Sequence, residues 1–314
     1  MNAEISVVIP VFNGQAHIAR AIDSVMEQTL APAEIIVVND GSTDDTLDVL
    51  QRFGSRLTIV TTPNRGVSRA RNAGIKKAKH GLIAFLDADD EWHADKLQKQ
   101  VDFLADWPQA GFCCCDYTYQ DRGMPETTYF TFLARIKAGS PAAWTSNPLL
   151  GLVGINFVGT TSTVLAKRDL LNTLGGFDPR YRQAEDYDLW IRCARRAQVA
   201  VMPDVLVRKI RHTANLTNNT AETLHFHELV LEEHRQRKTF DACLRGPSEL
   251  IFALARTRYQ IANVCFQHKQ YGNCVRYCRK ALLTDLSFRN VRLFLYYLSR
   301  KLLRLLSFGL VRTQ

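Results

Sequence analysis

Three acids in the stretch FLDADD are the first candidates for chemistry in this chain, at a point where an apolar strand should give way to a loop. Asp87, Asp89 and Asp90 crowd like charges together, which is unfavourable unless a positive charge lies nearby. Asp87 and Asp89 are two residues apart, so on an extended segment their side chains point the same way. Two converging carboxylates suit Mg²⁺ or Mn²⁺ better than zinc. The alternative is a solvated acidic turn that caps the next helix.

Two further polar stretches follow apolar runs. In NDGSTDDT, Asp40 stands at the end of a strand, although an ordinary strand-to-helix turn is the alternative. In NRGVSRARNAG, Arg65, Arg69 and Arg71 surround the start of a helix, which suits phosphate; the alternative is a solvated basic helix face. The first strand ends in VFNG and lacks the GxGxxG pattern, which disfavours a dinucleotide-binding dehydrogenase.

Strand and helix patterns alternate through the first third of the chain, and this order must position those residues. The apolar runs ISVVIPVF, EIIVVND, LTIVTT and GLIAFLD predict buried strands with helices between them, one of which Ser42 or Thr43 should cap. Such an order predicts a parallel sheet with right-handed crossovers. Ligands of these sheets bind beyond the carboxyl ends of the strands, where the polar stretches lie.

Later segments predict a different organisation. Residues 120–160 no longer show this alternation of strand and helix patterns, which indicates a long irregular substrate loop. A strand over Thr163–Ala166, a helix over Arg168–Leu174 and a helix in EDYDLWIRCARR follow. Beyond about residue 220 the patterns are helical, and residues 250–283 resemble one helical pair of the tetratricopeptide type. The favoured interpretation is a single packed pair, with homo-oligomerisation as a further role.

Composition narrows the class of protein. The chain has 314 residues, is 46% hydrophobic and carries a net charge of +9. No run of about 18 apolar residues is present, and the start, MNAEISVVIPVFNG, does not resemble a secretory signal. The eight cysteines are expected to be reduced, buried thiols of a cytoplasmic protein. No zinc-finger, RNA-binding or helix-turn-helix signature accompanies the basic surplus, so a nucleic-acid partner is disfavoured.

Five stretches in order give a more specific indication. SVVIPVFNG, VVNDGSTDDT, NRGVSRARNAG, FLDADD and EDYDLW together resemble the inverting glycosyltransferases of family 2, over roughly residues 4–215. The resemblance implies an α/β GT-A fold, a Rossmann-like mixed, mainly parallel sheet flanked by helices. We therefore predict a GT-A domain over residues 1–220 and an α-helical C-terminal region over residues 221–314.

The resemblance also implies roles for individual residues. Asp89 is expected to hold a Mn²⁺ or Mg²⁺ ion, with Asp90 as a competing ligand and His212 completing the metal shell, although a structural histidine is the alternative. Asp186, beside Glu185, matches the general base, and helix capping is its alternative role. The residues expected to bind the nucleotide sugar are Pro10, Phe12, Asn13, Asp40, Arg71, Asp87 and Ala88. Thr160, Thr161 and Ser162 fall where acceptor contacts are expected; buried hydroxyls explain them equally well.

The implied activity is metal-dependent transfer of a sugar from a nucleotide-diphosphate sugar, expected to be a UDP-sugar, to a saccharide or lipid-linked glycan. The transfer would invert the sugar and serve cell-surface polysaccharide biosynthesis. One alternative is the same fold with a GDP- or dTDP-sugar. Another is a non-catalytic scaffold that binds nucleotide sugars, against which the intact Asp89 and Asp186 argue.

The C-terminal residues 286–314 form a basic amphipathic pattern. Apolar residues recur at helical spacing, six residues are basic and none is acidic: the apolar positions are Val291, Leu295, Leu298, Leu302 and Leu305. A helix of this kind favours anionic membrane surfaces, although docking on a protein domain is the alternative. We therefore expect a peripheral membrane protein at the inner face of the cell membrane.

Truncation tests the membrane prediction. A chain that ends at residue 285 should sediment less with anionic vesicles than the full chain, because it loses the basic amphipathic segment. Vesicles of neutral lipid serve as the control, since they should retain little of either chain. Equal sedimentation of the two chains with anionic vesicles would contradict the prediction.

Overall fold

The protein is described by a computed structural model over residues 4–119, 126–135, 138–210, 220–240, 248–267 and 270–284, with residues 295 and 299. The chain divides into two compact units, Met1–Asn215 and Leu216–Gln314. His212 lies outside the described residues, as does the segment 286–314 apart from Leu295 and Ser299. The predicted domain boundary at residue 220 stays a prediction, since residues 211–219 are not described.

The first unit begins with the predicted alternation of strands and helices. Each strand is a run of apolar, mostly β-branched residues, and each helix carries apolar residues on one face. The elements are β1 Ile5–Val11, α1 Ile18–Met26, β2 Glu34–Asn39, α2 Thr46–Gln51, β3 Thr58–Thr61, α3 Val67–Lys77 and β4 Leu82–Phe85. Strand β1 pairs in parallel with both β2 and β4, and β2 pairs in parallel with β3. The predicted parallel half of the sheet is confirmed.

The rest of the first unit makes the sheet mixed. Its elements are β5 Glu91–Trp92, α4 Lys96–Ala105, β6 Ala110–Tyr119, β7 Thr127–Thr128, α5 Tyr129–Arg135, α6 Pro141–Ser146, α7 Pro148–Gly154, β8 Val164–Lys167, α8 Arg168–Thr173, α9 Glu185–Arg196 and β9 Gln198–Arg208. The strand order is β3-β2-β1-β4-β8-β6-β9-β5, with β7 paired to β6. Strand β8 runs antiparallel to both β4 and β6. It therefore brings the segment before it, residues 160–163, beside the end of β4.

The predicted cap of α2 is wrong. The helix begins at Thr46, whose N–H donates to the carboxylate of Asp44 over 3.1 Å. Ser42 instead accepts a hydrogen bond from the N–H of Asn13, and the N–H of Thr43 donates to the Asn13 side chain. The two residues hold the loop after β1, because that loop and the loop after β2 meet at the same edge of the sheet.

Residues 120–160 are less irregular than predicted. Helices α5, α6 and α7 occupy much of the described part of this segment. Ser140 and Asn147 each precede a proline, and each side chain accepts a hydrogen bond from a backbone N–H three residues on. Ser-Pro and Asn-Pro are start signals for short helices, since proline is tolerated in the first helical turn.

The second unit is helical where described, as predicted. Its helices are α10 Thr220–Gln236, α11 Ser248–Gln267 and α12 Tyr271–Thr284. The predicted pair α11 and α12 contains one apolar cluster with Cys265, Cys274 and Cys278. All seven cysteines among the described residues are buried thiols that form no disulfide. No described helix combines the length and apolarity needed to cross a bilayer.

A lysine, Lys96, is fully buried between Trp92 and Gln100. Lys96, the first residue of α4, is 0% exposed, donates to the Gln100 side chain over 2.7 Å and lies 3.9 Å from the centre of the Trp92 ring. No carboxylate pairs with it among the described residues. Burial lowers the pKa of Lys96 to about 8, because the charged form loses hydration.

The buried charge makes stability depend on pH. Between pH 8 and 10.5 the folded state releases this proton before the unfolded state does, so the unfolded state binds more protons and stability rises with pH. Relative to Lys96→Met, the parent should gain about 2 kcal/mol in the free energy of unfolding between pH 8 and 10, measured by urea denaturation. The control Lys99→Met, on the same helix with a side chain that is 44% exposed, keeps Lys96, so the difference in stability between the parent and this variant should not rise in that way. An unchanged difference between the parent and Lys96→Met would contradict the prediction.

Candidate functional site

The predicted site residues of the first four strands gather at one edge of the sheet. Strands β1, β2 and β4 run parallel, so their carboxyl ends lie together and carry Phe12, Asp40 and the acidic loop 87–90. Pro10 is the next-to-last residue of β1 and is buried, whereas Phe12, just beyond the strand, is 48% exposed. Ala88 is partly buried against the core. The edge thus presents an exposed ring next to a row of polar side chains.

Asn13 fixes the loop after β1. Its backbone has φ of 51°, in the left-handed region that asparagine tolerates better than most residues. The N–H of Asn13 donates to Ser42 over 2.9 Å, and its side-chain oxygen accepts from the N–H of Thr43 over 2.8 Å. The N–H of Gly14 donates to Thr46 over 2.8 Å. These bonds hold Phe12 outward on a rigid turn.

Asp40 fixes the loop between β3 and α3. It is 4% exposed, and its carboxylate accepts hydrogen bonds from the N–H groups of Arg65 and Gly66 over 3.0 and 2.8 Å and from the Thr62 hydroxyl over 3.2 Å. Gly66 has φ of 91°, which favours glycine. Asp40 therefore shapes the rim of the edge where Arg65 and Arg69 are exposed.

Arg71 supplies the positive charge that the acidic loop requires. It is 5% exposed and donates from one terminal nitrogen to Asp87 over 2.7 Å and from the other to Glu185 over 2.6 Å. The hydroxyls of Thr161 and Thr160 donate to the same Asp87 carboxylate over 2.9 and 3.2 Å. One guanidinium thus joins the end of β4 to the start of α9.

The two acids on Arg71 respond differently to burial. Burial by itself would raise the pKa of Asp87, but Arg71 and Lys209 hold that pKa below its usual value. Burial raises the pKa of Glu185 to about 7, with Arg71 opposing and the neighbouring Asp186 adding to the rise. A single guanidinium is shared between two carboxylates, one with a lowered and one with a raised pKa.

Asp90 points into the protein, whereas Asp89 is only partly buried. Asp90 is 1% exposed and accepts hydrogen bonds from the Ser162 hydroxyl over 2.7 Å and the N–H of Ile210 over 3.2 Å. Burial raises the pKa of Asp90 to about 7, while Lys209 opposes the rise and Asp87 and Asp89 add to it. Asp90 thereby ties the acidic loop to the end of β9.

The acidic loop fits a divalent cation that also binds a diphosphate. No three His, Cys, Asp or Glu side chains in the described part of the chain gather to hold a metal by themselves. Mg²⁺ and similar ions, however, are commonly held by one or two carboxylates together with phosphate oxygens and water. Asp89, after the end of β4, provides one such carboxylate, whereas both oxygens of Asp87 already accept bonds from Arg71, Thr160 and Thr161.

Asp186 lies in the first turn of α9, next to Glu185. One of its oxygens accepts from the N–H of Tyr187 over 2.7 Å, and the other accepts from the Asn156 side chain over 3.4 Å. No side-chain bond caps α9; its N-cap residue Ala184 has φ of 60°. Asp186 is partly buried and lies at the positive end of the helix dipole.

Two contributors to this site did not stand out in the sequence: Asn156 orients Asp186, and Lys209 acts on Asp87 and Asp90. Ser162 bonds both ends of the acidic loop, since its hydroxyl donates to Asp90 and accepts from the N–H of Asp87 over 3.1 Å. The alternative account of Thr160, Thr161 and Ser162 as buried hydroxyls is confirmed, because each is 3% exposed or less. Neither Asn156 nor Lys209 belongs to a motif that the local sequence makes visible.

Comparisons with known proteins agree with this geometry. The family model described as Glycosyl transferase family 2 matches residues 6–159. WfgD of Escherichia coli, a UDP-Glc:alpha-D-GlcNAc-diphosphoundecaprenol beta-1,3-glucosyltransferase, is 32% identical over 189 residues, which make up 60% of this chain and 68% of WfgD.

Two solved structures share the fold. TarS 1-349 of S. aureus in complex with UDP-GlcNAc has a TM-score of 0.63 and 17% identity, covering 92% of this chain and 83% of that one. The mannosyltransferase PcManGT from Pyrobaculum calidifontis, in complex with GDP-Man and Mn²⁺, has a TM-score of 0.59 and 20% identity, covering 94% and 84%. The predicted GT-A fold is confirmed.

Replacement of Arg71 tests its place in the site. Arg71→Met should lower the free energy of unfolding at pH 8 by about 3–5 kcal/mol, because Glu185 would stay buried and Asp87 partly buried without their cation. The loss should be smaller at pH 5, where protonation neutralises the unpaired acids. The measurement is denaturant unfolding. Arg69→Met, exposed on the same helix, should change stability by less than about 0.5 kcal/mol. Similar losses in both variants would contradict the assignment.

Proposed function

Since the chain belongs to glycosyl transferase family 2, we propose that it transfers a sugar from a nucleotide-diphosphate sugar to a hydroxyl of a saccharide or lipid-linked glycan, with inversion at the anomeric carbon. The observation that carries the proposal is the contact of Arg71 with Asp87 and Glu185. It brings the carboxylates at the end of β4 next to the turn that bears Asp186. Arg71 thus links the acidic loop proposed for the leaving diphosphate to the helix turn proposed for the attacking hydroxyl.

The donor is proposed to lie along the carboxyl ends of β1, β2 and β4. Phe12 offers an exposed face for the nucleotide base, between the turn of Asn13 and the loop that Asp40 holds. A UDP-sugar is the first choice, because WfgD is named for UDP-Glc and TarS is solved with UDP-GlcNAc. PcManGT is solved with GDP-Man, so a GDP-sugar is the alternative within the same fold.

A Mn²⁺ or Mg²⁺ ion is proposed at Asp89, with Asp87 beside it. Such an ion, when bound, offsets the negative charge that develops on the leaving diphosphate. Asp90 is proposed to support the loop, because its two oxygens already accept bonds from Ser162 and Ile210. The proposed contribution of His212 concerns a residue outside the described part of the chain.

Asp186 is proposed as the general base. It takes the proton of the acceptor hydroxyl as that oxygen bonds to the anomeric carbon, while the bond from that carbon to the diphosphate breaks on the opposite face. A single displacement of this kind inverts the sugar. Asn156 and the N–H of Tyr187 orient the carboxylate without neutralising it.

The setting is proposed to be cell-surface polysaccharide biosynthesis at the inner face of the cell membrane. The name of WfgD describes a diphosphoundecaprenol-linked acceptor, which supports a lipid-linked glycan here. The basic amphipathic pattern of residues 286–314 suits the same location. A scaffold without catalysis is the second candidate, and loss of turnover in a base variant distinguishes the two.

Replacement of the base tests the function. Asp186→Asn should lower the rate of UDP release from a UDP-sugar by roughly 10²–10⁴-fold, because the amide has no basic lone pair to accept the proton of sugar or water. UDP release from a panel of UDP-sugars with Mn²⁺, in the presence of a glycan acceptor mixture, is the measurement. Asp106→Asn, an exposed acid after α4, should keep the parent rate.

Binding separates lost chemistry from lost folding. UDP with Mn²⁺ should raise the melting temperature of the parent and of Asp186→Asn alike, because neither the donor edge nor Asp89 is altered. Equal rates for parent and Asp186→Asn would remove Asp186 from the mechanism. A parent that binds UDP but releases none from any donor would favour the scaffold.

A further inference from the structure

A lysine just beyond strand β9 lies opposite the acidic loop. Strand β9 ends at Arg208, which pairs antiparallel with Glu91 at the start of β5. Continued by one residue, this register sets Lys209 against Asp90. The N–H of Ile210 donates to the Asp90 carboxylate over 3.2 Å, so the backbone beyond β9 stays next to the acidic loop.

The side chain of Lys209 is supported by an aromatic ring of the core. Its ammonium lies 6.0 Å from the centre of the Tyr117 ring, and Tyr117 is 5% exposed. The N–H of Lys209 donates to the carbonyl of Thr118 in β6 over 3.0 Å, which fixes the start of the side chain. Lys209 as a whole is partly buried. A lysine in this setting packs its apolar stem on the protein and keeps its charged end in water.

The Lys209 ammonium acts on two carboxylates of the acidic loop without bonding to them. Burial by itself would raise the pKa values of Asp87 and Asp90, and Lys209 opposes that rise in both. The described hydrogen bonds of these carboxylates come instead from Arg71, from hydroxyl groups and from a backbone N–H. Within the described residues the Lys209 ammonium donates no hydrogen bond. Its three N–H groups are therefore open to a ligand that brings its own oxygens.

The strand order indicates which part of a nucleotide would reach Lys209. The base site proposed at Phe12 follows β1, and the cation site proposed at Asp89 follows β4. In the sheet, β9 lies beyond β4 on the side away from β1. A diphosphate that starts at the nucleoside and passes Asp89 therefore points its distal phosphate, the one that carries the sugar, towards Lys209.

We propose that the Lys209 ammonium bonds the distal phosphate of the nucleotide diphosphate and stabilises the charge that this phosphate gains as its bond to the sugar breaks. The proposal rests on the proposed function and adds a residue on the leaving-group side. When the bond from the anomeric carbon to the phosphate oxygen breaks, its electron pair stays on that oxygen, and the diphosphate gains one negative charge. Lys209 keeps its protons and acts as a positioned positive charge, so its attraction is stronger in the transition state than in the bound donor.

Binding of nucleotides with one and two phosphates tests the contact. With the full chain and Mn²⁺, Lys209→Met should weaken UDP binding roughly ten-fold in isothermal titration calorimetry, because a charge-assisted hydrogen bond to the distal phosphate is lost. UMP lacks that phosphate and should bind the parent and Lys209→Met alike, which also shows that the variant is folded. Lys209→Arg keeps the charge and should bind UDP within about three-fold of the parent. The matched control is Arg208→Met, which removes the charge of the next residue, a side chain that is 64% exposed, and should bind UDP like the parent.

Turnover distinguishes a transition-state contact from uniform binding. With a UDP-sugar that the parent uses, Lys209→Met should lower the single-turnover rate at saturating donor by roughly ten-fold or more, because the lost attraction grows as charge develops on the diphosphate. Arg208→Met should keep the parent rate. An unchanged single-turnover rate in Lys209→Met would overturn the stabilisation of the leaving charge.

The binding outcomes separate this proposal from the proposed function. Equal UDP affinity in the parent and Lys209→Met overturns the contact. Equal losses in Lys209→Met and Arg208→Met also overturn it, since they would report the general field of the surface. Equal weakening of UDP and UMP by Lys209→Met would reduce the lysine to a counter-charge for the acidic loop. A parent that binds GDP in place of UDP is measured with GDP and GMP, and a parent that binds neither diphosphate counts against the proposed function itself.

Discussion

The site depends on one buried guanidinium that bonds two carboxylates from distant parts of the chain. Arg71 contacts Asp87 and Glu185, which are 16 and 114 residues away in sequence. A lysine would not replace it, because an ammonium lacks the planar fork that presents two donors in fixed directions. The guanidinium also lies 5.2 Å from the Phe177 ring, which in turn packs edge-on against Phe85 at 5.4 Å. The charge network is therefore anchored in the aromatic core as well as in the loops.

Neutral hydroxyls add further hydrogen bonds to the acids that the guanidinium contacts or adjoins. Thr160, Thr161 and Ser162 donate to the acids of the loop 87–90 from the segment that precedes β8. Hydroxyl donors stabilise a carboxylate without cancelling its charge, so the acids keep a net negative field in which a cation is favoured. The buried Trp92 indole donates to the carbonyl of Ser162 over 2.9 Å and thereby holds the segment of residues 160–163 against the core. The position of the hydroxyl segment therefore depends on a core side chain that bonds its backbone.

Much of the fold could be predicted because its signals are local. Buried parallel strands are short apolar runs, and α9 occupies the whole predicted stretch EDYDLWIRCARR. The placement of β8 between β4 and β6 is not local, and it decides that Thr160–Ser162 meet Asp87. Asn156 and Lys209 were missed for the same reason, since their contacts form only after distant strands pair. The wrong assignment of Ser42 shows that a good capping residue is used elsewhere when a neighbouring loop offers it a donor.

The first turn of α9 carries three acids, and each has different partners. Glu185 bonds Arg71, Asp188 bonds Arg192 over 2.7 Å, and Asp186 accepts from an amide and from a backbone N–H. Helical geometry makes this division possible, because successive side chains project about 100° apart around the axis. A cation bonded to a carboxylate occupies its oxygen lone pairs and fixes it in an ion pair, whereas a neutral donor orients the carboxylate and leaves its charge in place. Among these three acids, Asp186 is the one whose described partners are all neutral donors, which is the arrangement expected of the base proposed above.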